Sequence, residues 1–406
     1  MNTEQQLAYD SVINGESIFL SGAAGTGKTT TLFEIIKWAH TNNKNIGVTA
    51  TTGSAAFLIR GQTIHSYLSI ALATKSPEEL ASNVIQKFKK TNTKIKLLQI
   101  LIIDEISLMN NELFDKISEF LCIVRKNPKP FGGLQLVLCG DFYQLAPVEK
   151  DYCFMSNTWK KMNIKKIILK KLMRQKDDLE FQGILESLKI GVCTPQIIKR
   201  LKQLKETKFE DGITPTCIYG LNVDVDEINN TEYKKLIDNG AEAKTYKNKY
   251  SPNTFAKNWF KSCKIPEEVE LCIGAQVMLT WNVSVDEGLC NGSRGVIKGF
   301  SADGPLVKFL NKEHDVIVKY QTIINDEYDD MSLTFLPLKM AYALTVHRCQ
   351  GCSIDFCEIN LKSWEFGQAY TALSRCRTLK NIRIVSCVKS SYFLASSKVI
   401  NFYNEI

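Results

Sequence analysis

Ser17-Ile18-Phe19-Leu20-Ser21, followed without a break by Gly22-Ala23-Ala24-Gly25-Thr26-Gly27-Lys28-Thr29, is the stretch that decides the fold. An apolar run of strand length leads into G-x-x-x-x-G-K-[ST]. After Lys28, Leu32, Ile35, Ile36 and Ala39 recur at i, i+3, i+4 and i+7, which is the apolar stripe of a helix. Strand, glycine loop and helix in that order form a phosphate cradle. The glycines let backbone N–H groups converge on phosphate oxygens, and the helix N-terminus adds partial positive charge. Lys28 is placed to reach the β and γ phosphates of a nucleotide and Thr29 to hold Mg2+. Gly22, Ala23, Ala24, Gly25, Thr26, Gly27, Lys28, Thr29 and Thr30 are therefore the candidate nucleotide-binding residues. The alternative, a glycine-rich turn that only joins strand to helix, leaves the motifs downstream unexplained.

Those motifs follow further apolar runs. Ile46 to Ala50, Gln99 to Ile103 and Leu134 to Cys139 have the density of strands buried on both faces of a parallel sheet, and Glu112 to Lys126 reads as an amphipathic helix between them. One run ends in Asp104-Glu105. Asp104 is placed for the Mg2+ shell and Glu105 to orient and deprotonate an attacking water, the division of labour that phosphoryl transfer to water needs. Another run ends in Gly140-Asp141-Phe142-Tyr143-Gln144-Leu145-Ala146-Pro147, where Gln144 offers an uncharged hydrogen-bonding group to the γ phosphate.

The rest of the chain reads as a second α/β unit, with strands at Thr216 to Tyr219 and Ile382 to Val388. Between them, from about Pro266 to Thr334, glycine-punctuated alternating runs (VMLTWNVSV, NGSRGVIKGF, PLVKFL, DVIVKY) predict a small antiparallel barrel. The polar stretch Ser76 to Lys96 predicts a helical excursion from the first sheet.

Composition bounds the function. With 406 residues, 44% hydrophobic and 23% charged, the chain can bury large cores, which excludes a peptide hormone or a disulfide-stapled miniprotein. It has no apolar run near the roughly 20 residues of a membrane span and no signal core at MNTEQQLAYD, so secretion and membrane insertion are not expected. Thirteen cysteines, an odd number, fit reduced thiols in an intracellular compartment, nucleus or cytoplasm. Cys349 and Cys352 form a C-x-x-C pair that raises zinc, but no second pair lies at ribbon spacing. The net charge of +8 concentrates between Trp159 and Lys208, where 14 basic residues face 5 acidic ones. That segment is either a solvated face or an anion-binding one.

Nine blocks taken in order carry a family resemblance: TEQQ, GAAGTGKTT, VTATTGSAAFLIRGQTIHS, IIDEISLM, PFGGLQLVLCGDFYQLAPV, LMRQKD, GAQVMLTWN with NGSRGVI, ALTVHRCQG and QAYTALSRCR. They span nearly the whole chain, which resembles the petite-integration-frequency (PIF) family of superfamily 1 DNA helicases, with RecD helicases as more distant relatives. The resemblance implies an α/β fold of two RecA-like P-loop NTPase domains with an inserted wedge and an inserted SH3-like β-barrel. The first domain would span 1–170 with the wedge at about 66–98, the second 171–265 and 341–406, and the barrel 266–340.

It further implies an ATP- and Mg2+-dependent DNA helicase that moves 5′ to 3′ on single strands and opens 5′-tailed duplex or structured DNA. Such an enzyme would serve replication, recombination, repair or telomere maintenance, as a monomer. Gln5 matches the adenine-reading glutamine, and Arg174 and Arg375 match arginines that reach the γ phosphate from the second domain. With Lys28, Glu105 and Gln144 these arginines form the candidate catalytic set. DNA contacts match Thr52, Gly53 and His65 in the first domain and Thr345, His347 and Gln350 in the second. Asn282, Asn291 and Arg294 belong to shared barrel blocks, and either face DNA or make tight turns.

Arg348 stands where the family usually has lysine, which keeps the charge and changes the donor geometry. Ala146 replaces a common proline and Lys189 a common arginine. The short flanks around the blocks predict a nearly minimal motor core. Two rival readings are a nucleotide-switched DNA-binding or remodelling ATPase without processive unwinding, and a small-molecule kinase suggested by the phosphate loop alone.

Overall fold

The computed structural model describes the chain except residues 72, 148–150, 210–214, 221–222, 253–256, 258–259, 261–264, 285–286, 288, 290, 311, 326–327, 350–351 and 364, with only the backbone at 223–224, 325, 328–330 and 348. The chain forms two units, one of Met1–Met173 with Phe402–Ile406 and the other of Arg174–Phe260 with Ile265–Asn401.

The first unit is built on a parallel sheet of β1 (Ile18–Gly22), β2 (Ile46–Ala50), β3 (Gln62–Thr63), β4 (Ile100–Asp104), β5 (Gln135–Gly140) and β6 (Lys165–Leu169), in the order β3-β2-β4-β5-β1-β6. Every residue of β1, β2 and β4 is buried, which is why the sequence shows unbroken apolar runs there and not alternation. One face of β1 sends Ile18 and Leu20 into a core with Ala8 and Val12 of α1 (Thr3–Ile13) and Leu32, Ile35 and Ala39 of α2 (Lys28–Thr41). Its other face sends Phe19 to the rings of Phe142, Trp159 and Phe402.

β5 lies between β4 and β1, so the three motif-bearing loops leave neighbouring parallel strands at the same edge of the sheet. Short helices α3 (Gly53–Leu58) and α4 (Ile64–Leu68) follow β2 and β3. The excursion expected at Ser76 to Lys96 is two helices, α5 (Pro77–Lys87) and α6 (Lys89–Leu97), the first opened by a Ser76/Glu79 capping box with Pro77 at its start. Both pack on α7 (Asn111–Arg125), where the Arg125 guanidinium donates to the carbonyls of Ile95 and Leu98.

The second unit contains a four-stranded parallel sheet made of Thr216–Tyr219, Ala343–Thr345, Cys357–Ile359 and Ile382–Ile384. It also holds a five-stranded antiparallel sheet of Gln276–Leu279, Arg294–Phe300, Pro305–Phe309, Val316–Ile317 and Leu338–Met340 over its own core, which includes Leu271, Val277, Ile297, Val307 and Phe309. Among the described residues no helix is long and apolar enough to cross a membrane.

The sequence reading carried the second domain to residue 406, whereas Phe402–Ile406 belong with the first unit. The last helix, Ser397–Asn404, ends in the first unit because Phe402 fills an aromatic cluster there, with ring centroids 4.3 Å from Phe154 and 5.8 Å from Phe19. Burying a phenylalanine in such a cluster stabilises by about 2–3 kcal/mol, enough to fix where a chain end settles.

Candidate active site and nucleic-acid interface

The loop between β1 and α2 bends through left-handed backbone at Gly25 (φ +88°) and Gly27 (φ +92°). At Gly27 a β-carbon would also sit 2.3 Å from Gln5 Nε2, so both conformation and space require glycine. Gln5 is held twice. Its Oε1 accepts from Asn2 N at 2.9 Å in a capping box, and its Nε2 donates to Thr26 O at 3.4 Å, which ties α1 to the loop. The Lys28 ammonium lies over the loop, donating to Gly22 O at 2.6 Å and Ala23 O at 3.2 Å, while Thr26 Oγ1 donates to Ala23 O at 2.9 Å. Gly27 caps α2 without a side-chain bond, and Thr29 and Thr30 are exposed on its first turn. Gly27→Ala is expected to lower stability by about 1–2 kcal/mol through the left-handed backbone and to weaken nucleotide binding by displacing Gln5. Thermal melting with and without nucleotide checks this, and an unchanged melt with full nucleotide stabilisation would contradict it.

Asp104 ends β4 as a buried carboxylate. Burial pushes its pKa up. The Cys139 thiol, the Glu105 N–H (2.9 Å to Oδ1) and the Lys28 charge act the other way. A divalent cation would supply the charge this carboxylate lacks. Among the described residues no three His, Cys, Asp or Glu gather into a metal cage. Mg2+ binds through one or two protein oxygens and substrate phosphates; Thr29 and Asp104 are the residues that would offer those oxygens.

Glu105 adopts left-handed backbone (φ +52°, ψ +42°), a strain of about 1 kcal/mol for a residue with a β-carbon. It is held there by Thr51, whose hydroxyl donates to Glu105 O at 2.8 Å. The kink turns the chain off the strand at the residue that carries the second carboxylate. Gln144, 4% exposed, donates from Nε2 to Asp141 Oδ2 at 3.2 Å, while Asp141 Oδ1 accepts from Tyr143 N. The first unit therefore brings Lys28, Asp104, Glu105 and Gln144 to one sheet edge.

The second unit brings the two candidate arginines together. Arg174 Nε donates to Ser353 Oγ at 2.8 Å and its Nη1 to Ser374 O at 3.0 Å, and Arg375, 2% exposed, donates to Thr371 O and Ser374 Oγ. Burial, and then the neighbouring Arg375 charge, push the Arg174 pKa down to about 9. An anion presented to the pair would reverse that. Gln175, which the sequence reading passed over, clamps the same segment, its Nε2 donating to Ser374 O and Cys376 O. Its place beside Arg174 in LMRQKD was the only signal.

Of the nucleic-acid candidates, Thr52 caps α3, Gly53 opens it, and His65 lies in α4. These loops follow β2 and β3, which pair side by side. Half-burial pushes the His65 pKa down, which favours the neutral ring. Thr345 ends a strand at 1% exposure, and His347 is exposed on the turn that follows. Gln350 lies outside the described residues. Asn282 is exposed, and its Oδ1 accepts from Asn291 N, closing a turn. Arg294 fits neither sequence reading. It is 1% exposed and donates to Phe356 O at 2.8 Å inside the second unit.

Residues 1–189 match the model of PIF1-like helicases, and residues 260–300 match that of the DNA helicase Pif1 2B domain. The ATP-dependent DNA helicase PIF1 of Xenopus laevis is 34% identical over 100% of this chain and 64% of its own length, so the chain spans under two thirds of that relative. Uncharacterized protein 030L of Invertebrate iridescent virus 6 is 32% identical over 100% of this chain and 94% of its own. The crystal structure of Pif1 helicase from Candida albicans superposes with a TM-score of 0.78 at 31% identity, covering 100% of this chain and 99% of that one. Pif1 helicase from Bacteroides in complex with ADP-AlF3 and ssDNA gives a TM-score of 0.70 at 26% identity, covering 100% and 96%.

Proposed function

Because the chain belongs to the PIF1-like helicase family, we propose that it is an ATP-dependent DNA helicase that translocates 5′ to 3′ on single strands and opens 5′-tailed duplex or structured DNA. The observation that carries the reading is the convergence of Lys28, Asp104, Glu105 and Gln144 on neighbouring strand ends, because a phosphate cradle, a cation-holding carboxylate and a second carboxylate suffice for nucleotide hydrolysis. Support for DNA as the partner comes from relatives named as DNA helicases and from the Bacteroides relative described with ADP-AlF3 and ssDNA.

In this reading the two units are RecA-like domains, residues 66–98 form the wedge, and 266–340 form an SH3-like barrel. Lys28 leaves the Gly22 and Ala23 carbonyls to bind the β and γ phosphates, and Gln5 reads the adenine. Thr29 and Asp104 would hold Mg2+, which would supply positive charge to screen the phosphates. Glu105 takes the proton of the attacking water and Gln144 senses the γ phosphate. Arg174 and Arg375 neutralise charge developing on that phosphate as the units close, and hydrolysis releases them. DNA is held through its backbone by Thr52, Gly53, His65, Thr345, His347, Gln350 and Asn282, since a translocating motor cannot depend on base sequence.

Glu105→Gln is expected to bind ATP and DNA while hydrolysing about 10²- to 10⁴-fold more slowly. Weak ATP binding with an intact chemical step would contradict the general-base role. Single-turnover unwinding tests the function as a whole: strand separation of a 5′-tailed but not a 3′-tailed duplex is the expected result. ATP hydrolysis without separation of either substrate would favour a nucleotide-switched DNA-binding protein.

A further inference from the structure

We propose that Tyr403, on the last helix of the chain, is a positioning residue for ATP hydrolysis that fixes the Asp141–Gln144 loop against the entrance of the phosphate loop. Its hydroxyl meets both. It lies 2.6 Å from Ser21 Oγ, the residue before Gly22, and accepts from Phe142 N at 3.2 Å in the loop that carries Gln144. The oxygen can accept from Phe142 N and still share a proton with Ser21 Oγ, where either hydroxyl can donate. The phenol keeps its proton at working pH, because burial and then the Asp141 charge hold its pKa well above the ordinary value.

The ring adds a second constraint. It stacks on Tyr143 at 4.6 Å between centroids and 12° between planes, so residues 142 and 143 are both held from the same side chain. Phe402, the preceding residue, is locked among Phe19, Phe142 and Phe154, so the helix end cannot drift. Asp141 completes the connection. Tyr143 N binds its Oδ1 and Gln144 Nε2 its Oδ2, so holding Tyr143 also holds the carboxylate that aims Gln144. Tyr403 touches no reacting atom and acts through these residues. The strand ends on either side, β1 and β5, are hydrogen-bonded neighbours from Ile18–Val137 to Ser21–Gly140, and Tyr403 extends that pairing one step beyond the sheet.

The proposal rests on the reading of the first unit as an ATP-hydrolysing motor, and its test separates the two. Tyr403→Phe keeps the ring and removes the hydroxyl. In the full chain it is expected to lower DNA-stimulated kcat about tenfold to hundredfold with the KM for ATP within about twofold, because a sensor out of place impairs chemistry more than binding. Hydrogen exchange of the Phe142 amide is expected to quicken about tenfold while that of the β1 amides holds, a change that reads the tether without reference to activity. Ser21→Ala severs the same bridge from the other side and should act in the same direction, with the double variant no worse than Tyr403→Phe alone. It stands in if Tyr403→Phe fails to fold. Unchanged exchange at Phe142, or faster exchange with wild-type kcat, would overturn the proposal. A wild-type protein without ATPase activity would overturn the functional reading and the catalytic role together.

Discussion

Replacing Arg375 with alanine is expected to slow DNA-stimulated ATP hydrolysis by about three to five powers of ten, with ATP and single-stranded DNA affinity changed only a few fold. The size follows from what an arginine does in phosphoryl transfer. It meets charge that appears on the γ phosphate only as the bond breaks, so its removal raises the barrier more than it weakens the ground state. The same change is mild for the fold. Thr371 O, which accepts from Arg375 Nε, also accepts from Ser374 Oγ at 2.8 Å, so that carbonyl is not orphaned by the truncation. A stability loss of about 1–2 kcal/mol is expected. Steady-state ATPase with saturating single-stranded DNA, read beside nucleotide binding and thermal melting, checks it. Near-normal stimulated turnover would remove Arg375 from the catalytic set, and collapse of the melt would mark it as a structural residue. Arg174 shares Ser374 with it and lies buried beside it, so the double variant should fall short of the sum of the single effects.

Lys28→Ala is expected to abolish turnover, a loss of about 10³-fold or more, and unlike Arg375→Ala to weaken ATP binding as well, because the ammonium meets the phosphates before and during the reaction. In the structure it is parked on the Gly22 and Ala23 carbonyls. Ala23 O keeps Thr26 Oγ1 as a donor without it, so the loop should hold its shape. The substitution has a second consequence. The Lys28 charge is one of the influences that lower the Asp104 pKa against the pull of burial, so its loss should let the carboxylate drift further up and hold Mg2+ more weakly. Nucleotide binding measured over a Mg2+ series reads both effects. Unwinding at the wild-type rate would mean that the phosphate site has been misplaced.

The residues that set the architecture were the ones whose neighbours in sequence carry the signal. Strands β1, β2 and β4 are buried end to end and β5 from its second residue on, so their apolar runs needed no knowledge of partners to be read, and they match the expected ranges to within one residue. The phosphate loop was equally local, because Gly25 and Gly27 do their work through their own backbone. Glu105 was legible by type, though its left-handed backbone and the Thr51 bond that holds it were not.

What sequence could not show were contacts between distant segments. Tyr403 reaches Ser21 across 382 residues, and nothing in KVINFYNEI distinguishes it from an ordinary tyrosine on an amphipathic helix. Gln175 reaches Cys376 across 201 residues in the same way. Arg294 misled for a related reason. A charged residue in a glycine-rich turn block reads as exposed, yet here its guanidinium serves a backbone carbonyl of another segment, a partner that no spacing rule names.

The central claim, a nucleotide site driven by DNA, is tested most directly by the ATP turnover of the wild-type chain with and without single-stranded DNA. The account predicts stimulation of at least about tenfold, because a motor that moves along DNA ties its nucleotide turnover to holding a strand. Turnover that ignores DNA at every concentration would contradict it and return the phosphate loop to the kinase reading.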